Sequence, residues 1–244
     1  MNRLTDAWFE YRGVSSLDMG VSMKEMPKRG LAFQKGKYVS VSGRDGGVFV
    51  SDGAYDNVDV SLTFDVRDGA DVGKVDAWLA ESGRLRFSDE PDRAYDARIS
   101  KSMNRKSIAK RFDGQNYTVT FTCMPFKYAY PEPAAITVTT KGTIIQNPGT
   151  APSRPRVKIT GSGDFTVMIG TGAMWFEGVT DGGVIVDSEL MDVLSYDAST
   201  LANDKAGGQP WQIAPGANTV SWSYESGGSN AVTAVEILPR WRWR

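Results

Sequence analysis

The chain has 244 residues, 41% of them hydrophobic, enough to bury a sizeable core and of a length that suits one large domain or two ordinary ones. With 28 basic against 29 acidic residues the net charge is −1, which gives no global attraction to nucleic acid or to an anionic membrane surface. There is no histidine and only one cysteine, which excludes Ser-His-Asp and Cys-His catalysis, His-ligated metals and an internal disulfide, and leaves carboxylate-pair hydrolysis as the chemistry still open.

Residues 1–13, MNRLTDAWFEYRG, lack the apolar core of a signal peptide, and no apolar run is long enough to span a bilayer, so synthesis and folding in the cytosol are expected. Tyr38–Val41 is a β-like run followed by Gly43-Arg-Asp-Gly-Gly47. That glycine cluster lacks the spacing of a phosphate loop and sits between β-like runs, so it reads as a hairpin turn, with an interface role for Arg44 and Asp45 as the competing reading. Val58–Val66 alternates strictly, with Val58, Val60, Leu62, Phe64 and Val66 on one face, and predicts a half-buried strand. One amphipathic helix is predicted from about Asp71 to Ser82. Val72, Val75, Trp78 and Leu79 share its apolar face, and Gly83 follows as the residue that ends it.

Beyond the helix, Ser88-Asp-Glu-Pro-Asp92 reads as a solvated acidic loop with a carboxylate pair as the sharper alternative. Lys101, Arg105, Lys106, Lys110 and Arg111 form a basic stretch with little aromatic interleaving. A solvated hairpin or arm is expected there, able to dock on acidic groups of a neighbouring subunit, rather than a nucleic-acid patch. Tyr117, Val119, Phe121 and Cys123 alternate again, which makes Cys123 a small core residue and discounts the glycosylation pattern at Asn116-Tyr-Thr118.

A boundary falls near residue 130. Residues 1–130 hold 38 charged side chains and residues 131–244 hold 19, and Pro125, Pro131 and Pro133 cluster at the change, favouring an extended connector. Two domains are therefore expected, residues 1–132 and 133–244. In the second, short β-like runs at Ile136–Thr139, Val157–Ile159, Phe165–Ile169, Val184–Val186, Val220–Tyr224 and Val232–Leu238 alternate with turn signals at Gly161-Ser-Gly-Asp, Asp181-Gly-Gly and Gly227-Gly-Ser-Asn. Asp187-Ser-Glu189 is a second candidate carboxylate pair. Trp175, Trp211 and Trp222 are either core or aromatic platforms of a carbohydrate-binding module. The end, Pro239-Arg-Trp-Arg-Trp-Arg244, predicts a closing strand with Trp241 and Trp243 on one face and Arg240, Arg242 and Arg244 on the other. The fold class is mainly β: two β-sandwich-like domains, the first with one packed helix.

The order of several short segments resembles the distal tail (Dit) proteins of siphophages and prophages. In the first half these are Trp8-Phe-Glu-Tyr-Arg-Gly13, Leu17-Asp-Met-Gly-Val21, Val41-Ser-Gly-Arg-Asp-Gly46, Tyr55 before the long strand, Ala77-Trp-Leu79, Gly83-Arg-Leu-Arg-Phe-Ser-Asp89, Tyr95-Asp-Ala-Arg98, Tyr117–Cys123 and Pro125. In the second they are Asn147-Pro-Gly149, Pro155 to Gly161, Val186-Asp-Ser-Glu189, Pro215-Gly-Ala-Asn218 and Pro239-Arg-Trp241. The resemblance implies an N-terminal domain that forms a hexameric ring with itself and a galectin-like second domain. It implies a tail-tip hub, assembled in the host cytoplasm, that joins the tail tube protein to the tail-associated hub or lysin protein and to a receptor-binding protein. It implies no catalytic residue, metal or cofactor. The competing functions are a carbohydrate-binding module for cell-wall attachment, a carboxylate-pair cell-wall hydrolase, and a tube protein that stacks into polymers.

Overall fold

Strict alternation of side chains lets a strand bury one face and wet the other, and Val58–Val66 does so: its five apolar residues are buried and its intervening polar residues are exposed or half-buried. The protein is described by a computed structural model covering residues 7–67, 69–107, 115–180, 182–224 and 231–244. Contacts divide it into two compact units, Met1–Tyr130 with Arg244, and Pro131–Trp243.

The elements of the first unit are β1 (Phe9–Tyr11), β2 (Val14–Ser15), β3 (Val21–Met23), β4 (Lys37–Ser40), β5 (Gly47–Val50), β6 (Val58–Val66), α1 (Val72–Leu79), β7 (Gly83–Phe87), β8 (Glu90–Ser107) and β9 (Gln115–Ala129). Seven of these strands form one antiparallel sheet in the order β2-β1-β7-β8-β9-β6-β3, while β4 and β5 form a separate two-stranded sheet. Arg12 and Gly13 both take positive φ in the two-residue turn between β1 and β2, the left-handed conformation that a tight hairpin needs. The inner face of the curled sheet closes on α1. Trp78 stacks on Phe9 at 5.3 Å between centroids and donates its indole N–H to the Tyr11 carbonyl at 2.8 Å. Phe64 and Tyr117 stack at 5.2 Å, and the Tyr117 hydroxyl donates to Asp76 on the helix at 2.8 Å.

Val75, Trp78 and Leu79 are buried as the helical spacing predicts. The helix ends at Leu79, however, three residues before the expected Ser82. Gly83 opens β7 instead of ending the helix, and a Cβ there would collide with the Arg12 side chain. Asp71 caps the N-terminus, its carboxylate accepting from the Lys74 amide at 3.2 Å. Asp71→Ala removes that acceptor and is expected to lower stability by about 1 kcal/mol, read as a shift in the urea midpoint at unchanged slope.

Two further expectations fail in this unit. Ser88-Asp-Glu-Pro-Asp92 is not a solvated loop: only Ser88 and Asp89 turn, and Glu90 starts an 18-residue strand. Pro125 lies inside β9 and not in a connector. β6 pairs β9 only as far as Cys123, so the missing amide of Pro125 deprives β6 of nothing.

The second unit contains β10 (Ile136–Val138), β11 (Thr143–Asn147), β12 (Arg156–Ile169), β13 (Gly172–Val179), β14 (Gly183–Asp187), β15 (Asp192–Ser195), β16 (Ala206–Gly208), β17 (Gly216–Tyr224) and β18 (Ala231–Leu238). The first half of β12 pairs β14 and β18, and its second half pairs β13 and β17, so one bent strand belongs to two sheets. Gly161-Ser-Gly-Asp is the corner of this strand and not the expected turn. Register shifts flank it, Gly163 takes φ +82°, and a Cβ at Gly161 would press on the Ala231 carbonyl. Gly227-Gly-Ser-Asn and Asp181 lie outside the described residues. Between the layers sit Phe165, Phe176 and Trp211, with centroid distances of 5.2 and 6.3 Å.

The C-terminal segment departs from simple alternation. Trp241 and Trp243 are buried, but so is Arg242, whose Nε donates to the Pro152 carbonyl. Arg240 takes φ +50°, which breaks the strand before it and turns its guanidinium onto Asp187.

Candidate assembly surface

The hairpin of β4 and β5 has a composition that water alone does not support. Its register pairs Lys37 with Val50, Tyr38 with Phe49, Val39 with Val48 and Ser40 with Gly47. Period two then places Val39, Val48 and Val50 on one face beside Lys37, and Tyr38 and Phe49 on the other beside Ser40, so both faces are largely apolar. Tyr38 is 76% exposed, Phe49 42% and Val50 52%, and Phe33 at the base is 79% exposed. The two rings pack at 5.3 Å, and Gly36 leaves room for the Phe49 ring where a Cβ would collide with it. The base is tied down by the Lys35 amide to the Ala54 carbonyl at 2.8 Å and the Asp56 amide to the Phe33 carbonyl at 2.9 Å. A lone two-stranded hairpin is marginal in water, and a contiguous exposed apolar surface marks an interaction site.

Arg44 and Asp45 sit exposed in the turn at the tip of this hairpin. Lys101, Arg105 and Lys106 fall on β8, with a register shift against β9 between Ile99 and Ser102. Lys110 and Arg111 lie outside the described residues. Lys101, Arg105 and Lys106 therefore belong to β8, whereas Arg44 and Asp45 belong to a different element. Elsewhere in the first unit, Asn57, Ser82, Gly83, Asp96, Ala97, Arg98, Thr122 and Met124 line a shallow groove of about 400 Å³, with Met124 exposed at its rim.

The carboxylates that sequence reasoning singled out for hydrolysis are engaged in ion pairs. Glu90 lies 2.7 Å from Lys127 Nζ, 3.2 Å from Arg29 and 3.5 Å from Arg93. Burial works to raise its pKa, but the Lys127 ammonium and then the two guanidinium groups outweigh it and hold the carboxyl below its ordinary value. Asp187 is likewise depressed: burial opposes, and the Arg240 guanidinium with the Leu190 and Glu189 amides prevails. A general acid needs the reverse shift. The Cys123 thiol is pushed up to about 12, chiefly by burial and then by Asp59, which makes it inert as a nucleophile. Among the described residues no group of three or more metal-ligating side chains converges, and no helix is long and apolar enough to cross a membrane.

No protein-family model and no curated protein matches the chain. Among solved structures, the crystal structure of the Dit protein of phage SPP1 aligns with a TM-score of 0.72, covering 95% of this chain and 97% of that one at 17% identity. This chain has the Dit fold. The SPP1 protein is described as a paradigm of the hub adsorption apparatus in phages that infect Gram-positive bacteria. The shared Dit architecture extends over both β-rich units, so the mainly β class expected from the alternation holds along nearly the whole length.

Proposed function

We propose that this protein is a structural hub of a phage tail tip that acts by closing into a ring of its own copies, hexameric as the resemblance implies. It performs no catalysis and needs no metal or cofactor. The observation that carries the proposal is the β4–β5 hairpin, whose two exposed apolar faces find cover on another copy of the chain.

A closed ring uses two different patches on each subunit. The hairpin is the first, and the groove beside Met124 in the same unit is the second. Tyr38 and Phe49 act as the aromatic anchors, while Arg44 and Asp45 at the tip oppose Asp96 and Arg98 of the neighbour and fix the orientation. Lys101, Arg105, Lys106, Lys110 and Arg111 line a further polar contact in the ring. The first domain, residues 1–132, forms the ring, and the second, residues 133–244, is galectin-like. The ring joins the tail tube protein to the tail-associated hub or lysin protein and a receptor-binding protein in the virion tail tip, after assembly in the host cytoplasm.

Sedimentation velocity over a series of rising protein concentrations tests this reading. A single discrete oligomer in exchange with monomer is expected. Monomer alone at every concentration, or a continuous distribution of growing polymers, contradicts it.

A further inference from the structure

We infer that the outer face of the sheet β11-β17-β12-β13-β16 carries a binding platform for a neutral saccharide, built on Trp175. The inference concerns a surface of the second unit and does not depend on ring formation.

The structure separates the three tryptophans that the sequence offered as platforms. Trp211 and Trp222 are buried, and Trp175 on β13 is 48% exposed. Trp175 stands directly opposite Gly207 on the edge strand β16. A Cβ at Gly207 would run into Cζ2, Cε2 and Cη2 of the indole, so the six-membered part of the ring lies on the glycine backbone. The glycine acts as a seat. It supports one side of the indole and leaves the remainder turned to solvent, with little freedom to collapse onto the sheet.

The neighbours on that face are small and polar. Trp175 pairs with Thr166 on β12, and Thr166 pairs with Ser223 on β17, so the three stand in one row across adjacent strands. At about 4.8 Å per strand the row runs roughly 10 Å from the Trp175 backbone to that of Ser223, while the indole itself leans the other way, over Gly207. The next row, Ala173, Met168 and Ser221, is also uncharged, and neither row carries a basic side chain. Glu177, exposed two residues beyond Trp175, supplies an acceptor on the same face.

A pyranose ring has an apolar C–H face and a rim of hydroxyl groups. A flat aromatic beside a line of hydroxyls matches both features, through stacking on the indole and hydrogen bonds along the row. An anionic polymer would want arginine or lysine here. A protein partner would want more apolar area than one indole with Met168 and, at the far edge, Ile144, set among serine, threonine and alanine.

The test is a titration of the full-length, tryptophan-¹⁵N-labelled protein with neutral hexasaccharides: cellohexaose, maltohexaose and chitohexaose. The indole signal of Trp175 is assigned from its disappearance in Trp175→Phe. At least one sugar is expected to shift that signal saturably, and Trp175→Ala is expected to weaken binding roughly tenfold or more, a loss of about 1.4 kcal/mol. Gly207→Val keeps the tryptophan but denies it its seat, and is expected to weaken binding comparably while the other indole signals stay in place. Failure of all three sugars to move the Trp175 signal overturns the inference. Binding that survives both substitutions unchanged overturns it as well.

Discussion

Phe49→Glu is expected to abolish ring formation at concentrations where the parent chain assembles, while global stability stays within about 0.5 kcal/mol of the parent. The hairpin forms its own two-stranded sheet, apart from the large sheet that closes on α1, so the core has little stake in the Phe49 side chain. Within the hairpin the substitution loses the ring contact with Tyr38 and puts a carboxylate where an apolar anchor stood. An aromatic anchor at the centre of an interface is worth about 2 kcal/mol or more on truncation, and burying an unpaired charge adds to that. Every subunit of a closed ring carries the same defect, so the loss recurs at each contact around the axis. Phe49→Leu, which keeps an apolar side chain, is expected to assemble. Sedimentation of the three proteins side by side, with denaturant unfolding of each, checks both halves of the expectation. Retention of the oligomer by the glutamate variant would remove the hairpin from the interface.

The second large effect is expected at Arg240. Its two terminal nitrogens meet the two oxygens of Asp187 at 2.7 and 2.8 Å, a bidentate pair, and the Asp187 side chain is only 6% exposed. Arg240→Ala leaves that carboxylate buried without its counter-ion and is expected to destabilise the second unit by about 3–5 kcal/mol. Removing both partners in Arg240→Ala/Asp187→Ala is expected to recover part of the loss, because the penalty lies in the stranded charge. The pair also sets a pH dependence. Burial pushes the Asp187 carboxyl up, the Arg240 hydrogen bonds and charge push it down further, and the folded-state pKa ends below its ordinary value. Stability from this group is therefore fully present above the unfolded carboxyl pKa of about 3.9 and is lost as pH falls through the lower folded value. Asp187→Asn should flatten that acid limb. Denaturant midpoints of parent and variants between neutral and strongly acid pH measure both effects; an Arg240→Ala loss no larger than that of a surface substitution would refute the account of the pair.

Much of this fold could be read from residue patterns wherever one principle acted alone. The β6 alternation, the Val75-Trp78-Leu79 stripe of α1 and the inward phase of Cys123 each reflect a single element burying a single face, and each is found as read. Reading failed where the partner strand made the decision. β8 carries the residues EPDRAYDARISKSMNRKS, which contain no clean alternation, yet it is a strand because β9 pairs it along most of its length and β7 pairs its first part, up to Ala97. In the same way Gly161-Ser-Gly-Asp has turn composition but serves as the corner of β12, where glycine tolerates the close backbone and positive φ that the bend requires. Gly83, read as the end of the helix, instead opens β7, where it packs against Arg12 of a turn far away in sequence.

The candidate surface was legible only in part. Gly43-Arg-Asp-Gly gave the turn and placed Arg44 and Asp45 at its tip. The anchors Tyr38 and Phe49 were not foreseen, since an apolar residue in a β-like run is ordinarily core, and only exposure distinguishes a surface awaiting a partner. The same limit applied to the tryptophans. Nothing in composition separates the exposed Trp175 from Trp211 and Trp222, although a glycine-rich edge strand, Ala206-Gly-Gly208, was the available signal for a seated ring.

The central claim is that the protein works through the arrangement of its copies around an axis. Negative-stain imaging of the purified full-length chain at high concentration tests it most directly. Closed rings of one fixed copy number are the result expected; dispersed single particles, or open filaments of varying length, would contradict it.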